Sequence, residues 1–165
     1  MMKFYILIFL FGGLTASCQS QNNDSSEPPT IKVESDDEQM NKAIKTAIAT
    51  LPQFKTALQS KNQNLKYFAL KVRFDLANGG GEHIWVNSLS LKNDKFYGVV
   101  NNEPEFTKEV KMGDKIEIDP KRITDWMYAD LDKLKGGYTI RALRNKLKGE
   151  ERVQFDKEIG FVIED

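Results

Sequence analysis

The sequence predicts an α+β domain of about five mostly antiparallel strands, with N-terminal helices packed on the sheet and further helices at the C-terminal end. Three observations predict this class. A stripe of apolar residues at helical spacing comes first, a series of alternating apolar and polar segments separated by turn residues follows, and helical spacing then returns. Hydrophobic residues make up 40% of the chain and charged residues 29%, which is typical of folded proteins. We expect one globular domain over residues 35–165.

The first predicted helix begins at a capping-box sequence. In "SDDE", residues 35–38, we expect the Ser35 hydroxyl to accept from a main-chain amide and Glu38 to reach back. Apolar residues then recur every three or four positions as far as Leu51, which gives the helix one face to bury. Because Pro52 cannot extend the same hydrogen-bond ladder, the sequence predicts a second, shorter helix, or a kink, from that position.

The strands are expected between residues 65 and 130. The segment "LKYFALKVRFDL" (65–76) alternates so that one of its faces is buried, with Lys71 on the other. The segments "EHIWVNSLSL" (82–91) and "KFYGVV" (95–100) flank the turn sequence "KND" and predict a hairpin. Two more strands are predicted at "KIEID" (115–119) and "RITDWMYAD" (122–130).

Helical spacing returns after residue 135. Ile140, Leu143 and Leu147 share one helical face, and Gly149 then interrupts the pattern. The segment "EERVQFDKEIGF" predicts a last helix that ends near Gly160.

The amino terminus has the pattern of a bacterial export signal. "MMKFYILIFLFGGLTASC" combines a short basic start, an apolar run too short to span a membrane, and small residues before Cys18, so residues 1–17 are predicted to be a signal peptide. "LTASC" resembles a lipobox, which makes Cys18 the expected lipidation site; ordinary cleavage near Ala16 or Cys18 is the alternative. The polar, proline-containing residues 18–34 predict a flexible tether. We expect a membrane-anchored lipoprotein of the cell envelope, facing the periplasm or the surface.

Composition argues against several function classes. Lys and Arg together number 24, as do Asp and Glu, and a balanced charge does not favour a nucleic-acid partner. A metal site is not expected, because the domain offers one His and no Cys. The glycines of "GGGEHIWV" (79–86) lead into a predicted strand, whereas a phosphate loop leads into a helix, so no nucleotide or other cofactor is predicted.

Candidate catalytic residues surround the only histidine. His83 could serve as a general acid or base, with Glu82 or Asp125 assisting it. No nucleophile accompanies these residues in the sequence, and a lone His beside a turn is more often a structural hydrogen-bonding group. A hydrolase-like activity is therefore the alternative hypothesis.

Candidate binding residues form two aromatic groups. His83 and Trp85 are two positions apart on one predicted strand, so their side chains share a face. The second group comprises Trp126, Tyr128 and Tyr138, which could bind a ligand or could simply pack in the core.

Four ordered segments carry a resemblance to a known family. They are "GGGEHIWV", "GVVNNEPEFTKEVKMGDKIEID", "ITDWMY" and "GGYTIRALRNKL…EERVQFD". Together they resemble the bacterial domain-of-unknown-function family numbered 2314 over about residues 38–161. The resemblance implies one domain of bacterial origin, and it implies no activity, cofactor or catalytic residue.

The sequence favours a noncatalytic binding domain held at the envelope. Its expected partners are the membrane, through the lipid on Cys18, and an unidentified envelope protein or small ligand. An immunity-like role against a secreted toxin is a further alternative.

Overall fold

The structure is a computed structural model that describes residues 3–7, 30–34, 37–77 and 79–164. The strands are β1 (Lys3–Leu7), β2 (Thr30–Glu34), β3 (Leu65–Asp75), β4 (Gly81–Lys92), β5 (Lys95–Val100), β6 (Lys115–Ile118), β7 (Ile123–Asp130) and β8 (Lys133–Gly136). The helices are α1 (Glu38–Gln59), α2 (Tyr138–Arg144) and α3 (Gly149–Ile159), and a short 3-10 helix covers Pro120–Arg122. The predicted α+β class is confirmed.

Within residues 65–136, six antiparallel strands form the sheet, in the order β8-β7-β3-β4-β5-β6, and β1 and β2 join the same sheet beside β4. The expectation of about five strands missed β8. This strand is only four residues long and buries Leu134 alone, so its alternation is too short to stand out from a turn. It pairs with β7 as a hairpin, and α2 begins two residues after it ends.

The predicted signal peptide and tether fall mostly outside the described residues. Their described parts are β1, which lies parallel to β4, and β2, which pairs antiparallel with β1. Cys18 lies outside the described residues, so its lipidation stays a prediction. Within the described part of the chain, no helix is both long enough and apolar enough to cross a membrane.

Helix α1 is a single 22-residue helix. Asp37 is its N-cap and accepts a hydrogen bond from the Met40 amide at 3.1 Å, whereas Ser35 of the predicted capping box lies outside the described residues. The prediction of a separate helix from Pro52 is wrong, because Pro52 lies inside α1. The apolar face continues past Pro52 to the fully buried Phe54, and this packing offsets the lost backbone hydrogen bond.

Both faces of the sheet are covered. One face carries Leu70, Ile84 and Trp126 and packs with Phe54 of α1. The opposite face carries Trp85 and packs with apolar residues of α2 and α3, among them Ile140, Leu143 and Phe155. The expectation that β3 has a single buried face is therefore wrong. Lys71, which alternation assigned to the open face, has no exposed surface because α2 lies over it.

Candidate binding site

Strands β3 and β4 have two ends with different structures. Residues Leu70–Asp75 pair with Gly81–Val86, and we call this region the paired end. The glycine-containing turn closes it, and Gly79 has a φ of +82°. The glycines thus join two strands, a geometry that offers no helix N-terminus to a phosphate.

Glu82 holds a loop against the paired end. Glu82 is 2% exposed, and its carboxylate accepts main-chain hydrogen bonds from Glu105 at 2.7 Å, Phe106 at 3.1 Å and Thr107 at 2.7 Å. Three amides aimed at one carboxylate are a strong anchor for the β5–β6 connection. Glu82 therefore has a structural role in this arrangement.

His83 is buried at the centre of the paired end, with 2% of its surface exposed. Its Nδ1 lies 2.9 Å from the Thr124 hydroxyl. Burial lowers the pKa of His83, the nearby positive charges of Lys71 and Arg73 act in the same direction, and together they bring it to about 3. The imidazole is then neutral at physiological pH and out of reach of a substrate in solvent, which does not favour general acid–base catalysis.

Asp125 and Lys71 are buried ionisable groups beneath α2 that meet at the Thr139 hydroxyl. Asp125 accepts from the amides of Tyr138 at 3.2 Å and Thr139 at 2.7 Å, and from the Thr139 hydroxyl at 2.6 Å. Lys71 donates from Nζ to the same hydroxyl at 2.7 Å. Burial raises the pKa of Asp125 against the opposing effect of Lys71, and burial lowers the pKa of Lys71 to about 8. The pair fixes the start of α2 on the sheet.

Three of the predicted binding aromatics pack together at the main core: Trp126 is buried, and Tyr128 and Tyr138 are half-buried. Trp126 is 3% exposed and donates from Nε1 to the Ala47 carbonyl at 3.0 Å. Tyr138 meets the Trp126 ring edge-on at 5.6 Å, and Tyr128 stacks on Trp126 at 5.9 Å. These rings pack between α1, β7 and α2.

Beyond the pair Leu70–Val86, strands β3 and β4 separate, and we call this region the split end. The rest of β3 pairs with β7, and the rest of β4 pairs with β5. Each strand also carries a bulge there. Tyr67 and Phe68 lie opposite one residue of β7, and Ser88 and Leu89 lie opposite one residue of β5.

Both bulges hold strained backbone. Tyr67 has a φ of +57° and Ser88 a φ of +49°. In the described part of the chain, the other non-glycine residues with positive φ lie in turns and are Asn93, Asp94 and Leu131. A left-handed residue inside a strand costs about 1–3 kcal/mol and persists only where the surrounding structure imposes it. Strain of this kind is found at functional sites more often than elsewhere.

The split end contains a cavity of about 360 Å³. The strands contribute Tyr67–Ala69, Trp85, Asn87–Leu89 and Met127 to its lining, together with Asn101 just after β5. The helices and the C-terminal segment contribute Leu58, Ile140, Ile159 and Phe161. Tyr67 is 53% exposed and Ser88 is also exposed, so they mark the mouth. The volume lies in the range of small-molecule sites.

Trp85 is the predicted binding residue that reaches this cavity. Its main chain is held on both sides: Asn101 donates its amide to the Trp85 carbonyl at 3.0 Å, and the Trp85 amide donates to Asn102 Oδ1 at 3.2 Å. Lys71 Nζ lies 4.7 Å from the centre of the Trp85 ring. The backbone of Trp85 is therefore fixed in place, and a cation lies over one face of its ring.

A polar corner interrupts the apolar wall. Asn87 Nδ2 donates to Asn101 Oδ1 at 2.6 Å. This bond leaves Asn87 Oδ1 as an acceptor and Asn101 Nδ2 as a donor, and neither atom has another partner among the residues that the structure describes. Among the described residues that line the cavity, none carries a carboxylate, ammonium or guanidinium group. Elsewhere in the described part of the chain, no cluster of His, Cys, Asp and Glu is suited to hold a metal ion.

Most of the cavity could not be found in the sequence. Trp85 was singled out because it lies two positions from His83 on one face of a predicted strand, but the bulges at Tyr67 and Ser88 leave no signal in an alternation pattern. The one available hint was the pair of asparagines, Asn101 and Asn102, at the end of a strand. The predicted catalytic residues Glu82, His83 and Asp125 are all buried in the paired end or beneath α2.

Fold and site together define a small α+β domain with an apolar cavity in a split antiparallel sheet. The chain belongs to the family described as "Uncharacterized protein conserved in bacteria (DUF2314)", whose profile matches residues 37–163. The family resemblance of the four sequence segments is thereby confirmed.

Two curated proteins show what the chain is similar to. "Uncharacterized protein YegJ" of Escherichia coli (strain K12) is 34% identical over 108 residues, which cover 66% of this chain and 69% of that protein. "Putative ankyrin repeat protein NMB1133/NMB1171" of Neisseria meningitidis serogroup B (strain ATCC BAA-335 / MC58) is 31% identical over 136 residues. Those residues are 78% of this chain and 54% of that protein, so the chain spans about half of it. No solved structure matches the chain significantly.

Proposed function

We propose that this protein is a noncatalytic binding domain that takes up a small apolar ligand in the split-end cavity. The observation that carries the proposal is the cavity itself. Two strands that could have stayed paired separate instead, and strained bulges at Tyr67 and Ser88 hold them apart around a fixed tryptophan. The cost of that strain favours a function over simple packing.

A small ligand suits the site better than a protein surface does. The lining comes from elements on both faces of the sheet, including Leu58 of α1 on one side and Ile140 of α2 on the other. A small ligand would therefore be contacted from both sides. A partner protein needs a broad contact area, typically about 800 Å² on each side. The cavity is concave, and its apolar walls would exclude water around a ligand.

Fluorescence can test uptake directly. The chain has two tryptophans, so a Trp126→Phe variant leaves Trp85 as the reporter at the cavity. We expect the neutral apolar fluorophore N-phenyl-1-naphthylamine to bind saturably and to accept energy from Trp85.

A matched pair of substitutions locates the binding. Ala69 lines the cavity, whereas Ala43 is a half-buried alanine of α1 outside it. Ala69→Leu should weaken binding of the fluorophore by about tenfold or more, because it fills cavity volume, and Ala43→Leu should leave binding intact. Equal binding by both variants, or no saturable binding by the parent, would contradict the proposal.

We also propose that the domain acts at the cell envelope, anchored by a lipid on Cys18. The support is the sequence pattern of residues 1–18 and the polar composition of residues 19–29. Intact mass of the protein recovered from membranes should show a diacylglycerol-modified cysteine at the mature N-terminus. Cys18→Ser should release the protein from the membrane fraction, and an unmodified Cys18 in membrane-derived protein would overturn this part of the proposal.

A further inference from the structure

We propose that the split-end cavity selects uncharged ligands that join an apolar body to an amide group, and that it rejects organic cations. This inference rests on the proposed function and narrows it to a chemical class. Three features of the site support it: the polar corner formed by Asn87 and Asn101, the uncharged lining, and the cation already placed over Trp85.

The polar corner is complementary to an amide. Two side-chain amides joined by one hydrogen bond leave one oxygen and one amino group unused, here Asn87 Oδ1 and Asn101 Nδ2. A guest amide supplies the matching N–H and carbonyl. An ester or ether supplies no N–H, so it would leave the Asn87 oxygen without a partner, and a pocket built to pair polar groups discriminates against such guests.

The uncharged lining disfavours ions of either sign. A charged group that leaves water needs a partner of opposite charge or several hydrogen bonds, and the wall formed by the described residues provides neither a carboxylate nor a basic side chain. The apolar residues around the corner, such as Met127 and Ile140, add only dispersion contacts. A neutral guest pays no such desolvation cost.

Lys71 adds a specific reason to reject cations. Aromatic rings bind ammonium groups over their faces, yet one face of Trp85 already lies beneath the buried Lys71 ammonium at 4.7 Å. A second cation at this ring would meet a like charge in a region that water does not screen. The site thus differs from an aromatic cage for quaternary ammonium ligands, although it contains the same ring type.

Three closely matched probes test the selectivity. N-acetylphenylalaninamide is neutral, phenylalaninamide is a cation at pH 6, and N-acetylphenylalanine is an anion. Each probe competes with N-phenyl-1-naphthylamine for the split-end cavity of the purified full-length Trp126→Phe chain. We expect the neutral amide to compete at least about tenfold better than either ion.

The outcomes separate this inference from the proposed function. If the fluorophore itself fails to bind, the proposed function fails. If it binds but the cation competes as well as the neutral amide does, the function stands and the selectivity is wrong.

Two variants of one residue sharpen the result. Asn101→Leu should weaken the neutral amide by about tenfold and leave the fluorophore unaffected, because it removes the polar corner but keeps the volume. Asn101→Asp should shift the preference toward phenylalaninamide, because it supplies the missing carboxylate. Asn145→Leu, at an exposed position outside the cavity, is the control and should change neither ligand. An unchanged amide affinity in a folded Asn101→Leu chain would overturn the amide assignment.

Discussion

The paired end and the split end of strands β3 and β4 share the same two strands and differ in almost every physical respect. At the paired end, the polar groups of Glu82 and His83 are buried and hydrogen-bonded. At the split end, Tyr67 and Ser88 are strained and exposed, and two asparagine amides retain unused hydrogen-bonding atoms. Residues that look chemically conspicuous in the sequence therefore stabilise the fold, and the cavity forms where the sheet pairing stops.

This difference separates stability from binding. Substitutions of the buried polar residues at the paired end, Glu82 and His83, should lower the free energy of unfolding and leave ligand affinity unchanged in the folded fraction. Substitutions of residues that line the split-end cavity should change ligand affinity and have smaller effects on the free energy of unfolding.

The largest effect is expected beneath α2. Asp125→Ala removes the partner of the buried Lys71 and leaves the amides of Tyr138 and Thr139 without their acceptor, so the free energy of unfolding should fall by about 3–5 kcal/mol. Urea unfolding measures this. Asp132→Ala, at an exposed position, is the control and should change stability by less than about 0.5 kcal/mol. A loss below about 1 kcal/mol for Asp125→Ala would show that the pair does not hold α2.

A smaller effect is expected at the loop anchor. Glu82→Gln replaces one carboxylate oxygen by an amino group, so at least one of the three amides from Glu105 to Thr107 loses its acceptor. Stability should fall by about 1–3 kcal/mol, with faster amide hydrogen exchange confined to this loop. Unchanged exchange at residues 105–107 would contradict the anchoring role.

The pH dependence of stability reports on His83. Its pKa is lowered to about 3 in the folded protein, so between pH 6.5 and 3 the unfolded chain binds a proton that the folded chain does not. The contribution of His83 is fully present above pH 6.5 and is lost as the pH falls, by up to about 1.4 kcal/mol per pH unit. The stability of the wild type relative to His83→Gln should therefore decrease by about 2 kcal/mol between pH 6.5 and 4.5. Parallel stability curves for the two proteins would contradict the burial of a neutral imidazole.

The smallest effect has the opposite sign. Ser88→Gly relieves the left-handed backbone at φ +49° and should stabilise the protein by up to about 1 kcal/mol, measured by thermal unfolding. Ser90→Gly, on the same strand but outside the bulge, should destabilise it. A destabilised Ser88→Gly variant would show that the serine side chain contributes more than its backbone strain costs.

The sequence revealed the secondary structure better than the site. Alternation and turn residues located β3 to β7 closely, since local patterning dominates there. The prediction of a separate helix from Pro52 was wrong because the fully buried Phe54 beyond it packs on the sheet and keeps α1 continuous. The prediction that Lys71 lies on an open face was wrong because α2, far along the chain, covers it. The cavity depends on where β3 and β4 stop pairing, which is a tertiary property of two strands and leaves no trace in either strand alone.

Methionine methyl groups offer the most direct test that the split end is the binding site. Met127 lines the cavity, Met40 is buried elsewhere in the same core cluster, and Met112 is exposed. In a protein labelled with ¹³C at the methionine methyl groups, addition of N-acetylphenylalaninamide should shift the Met127 signal in a saturable way and leave those of Met40 and Met112 in place. A saturable shift at Met40 or Met112 with Met127 unchanged would place binding outside the split end and contradict the account.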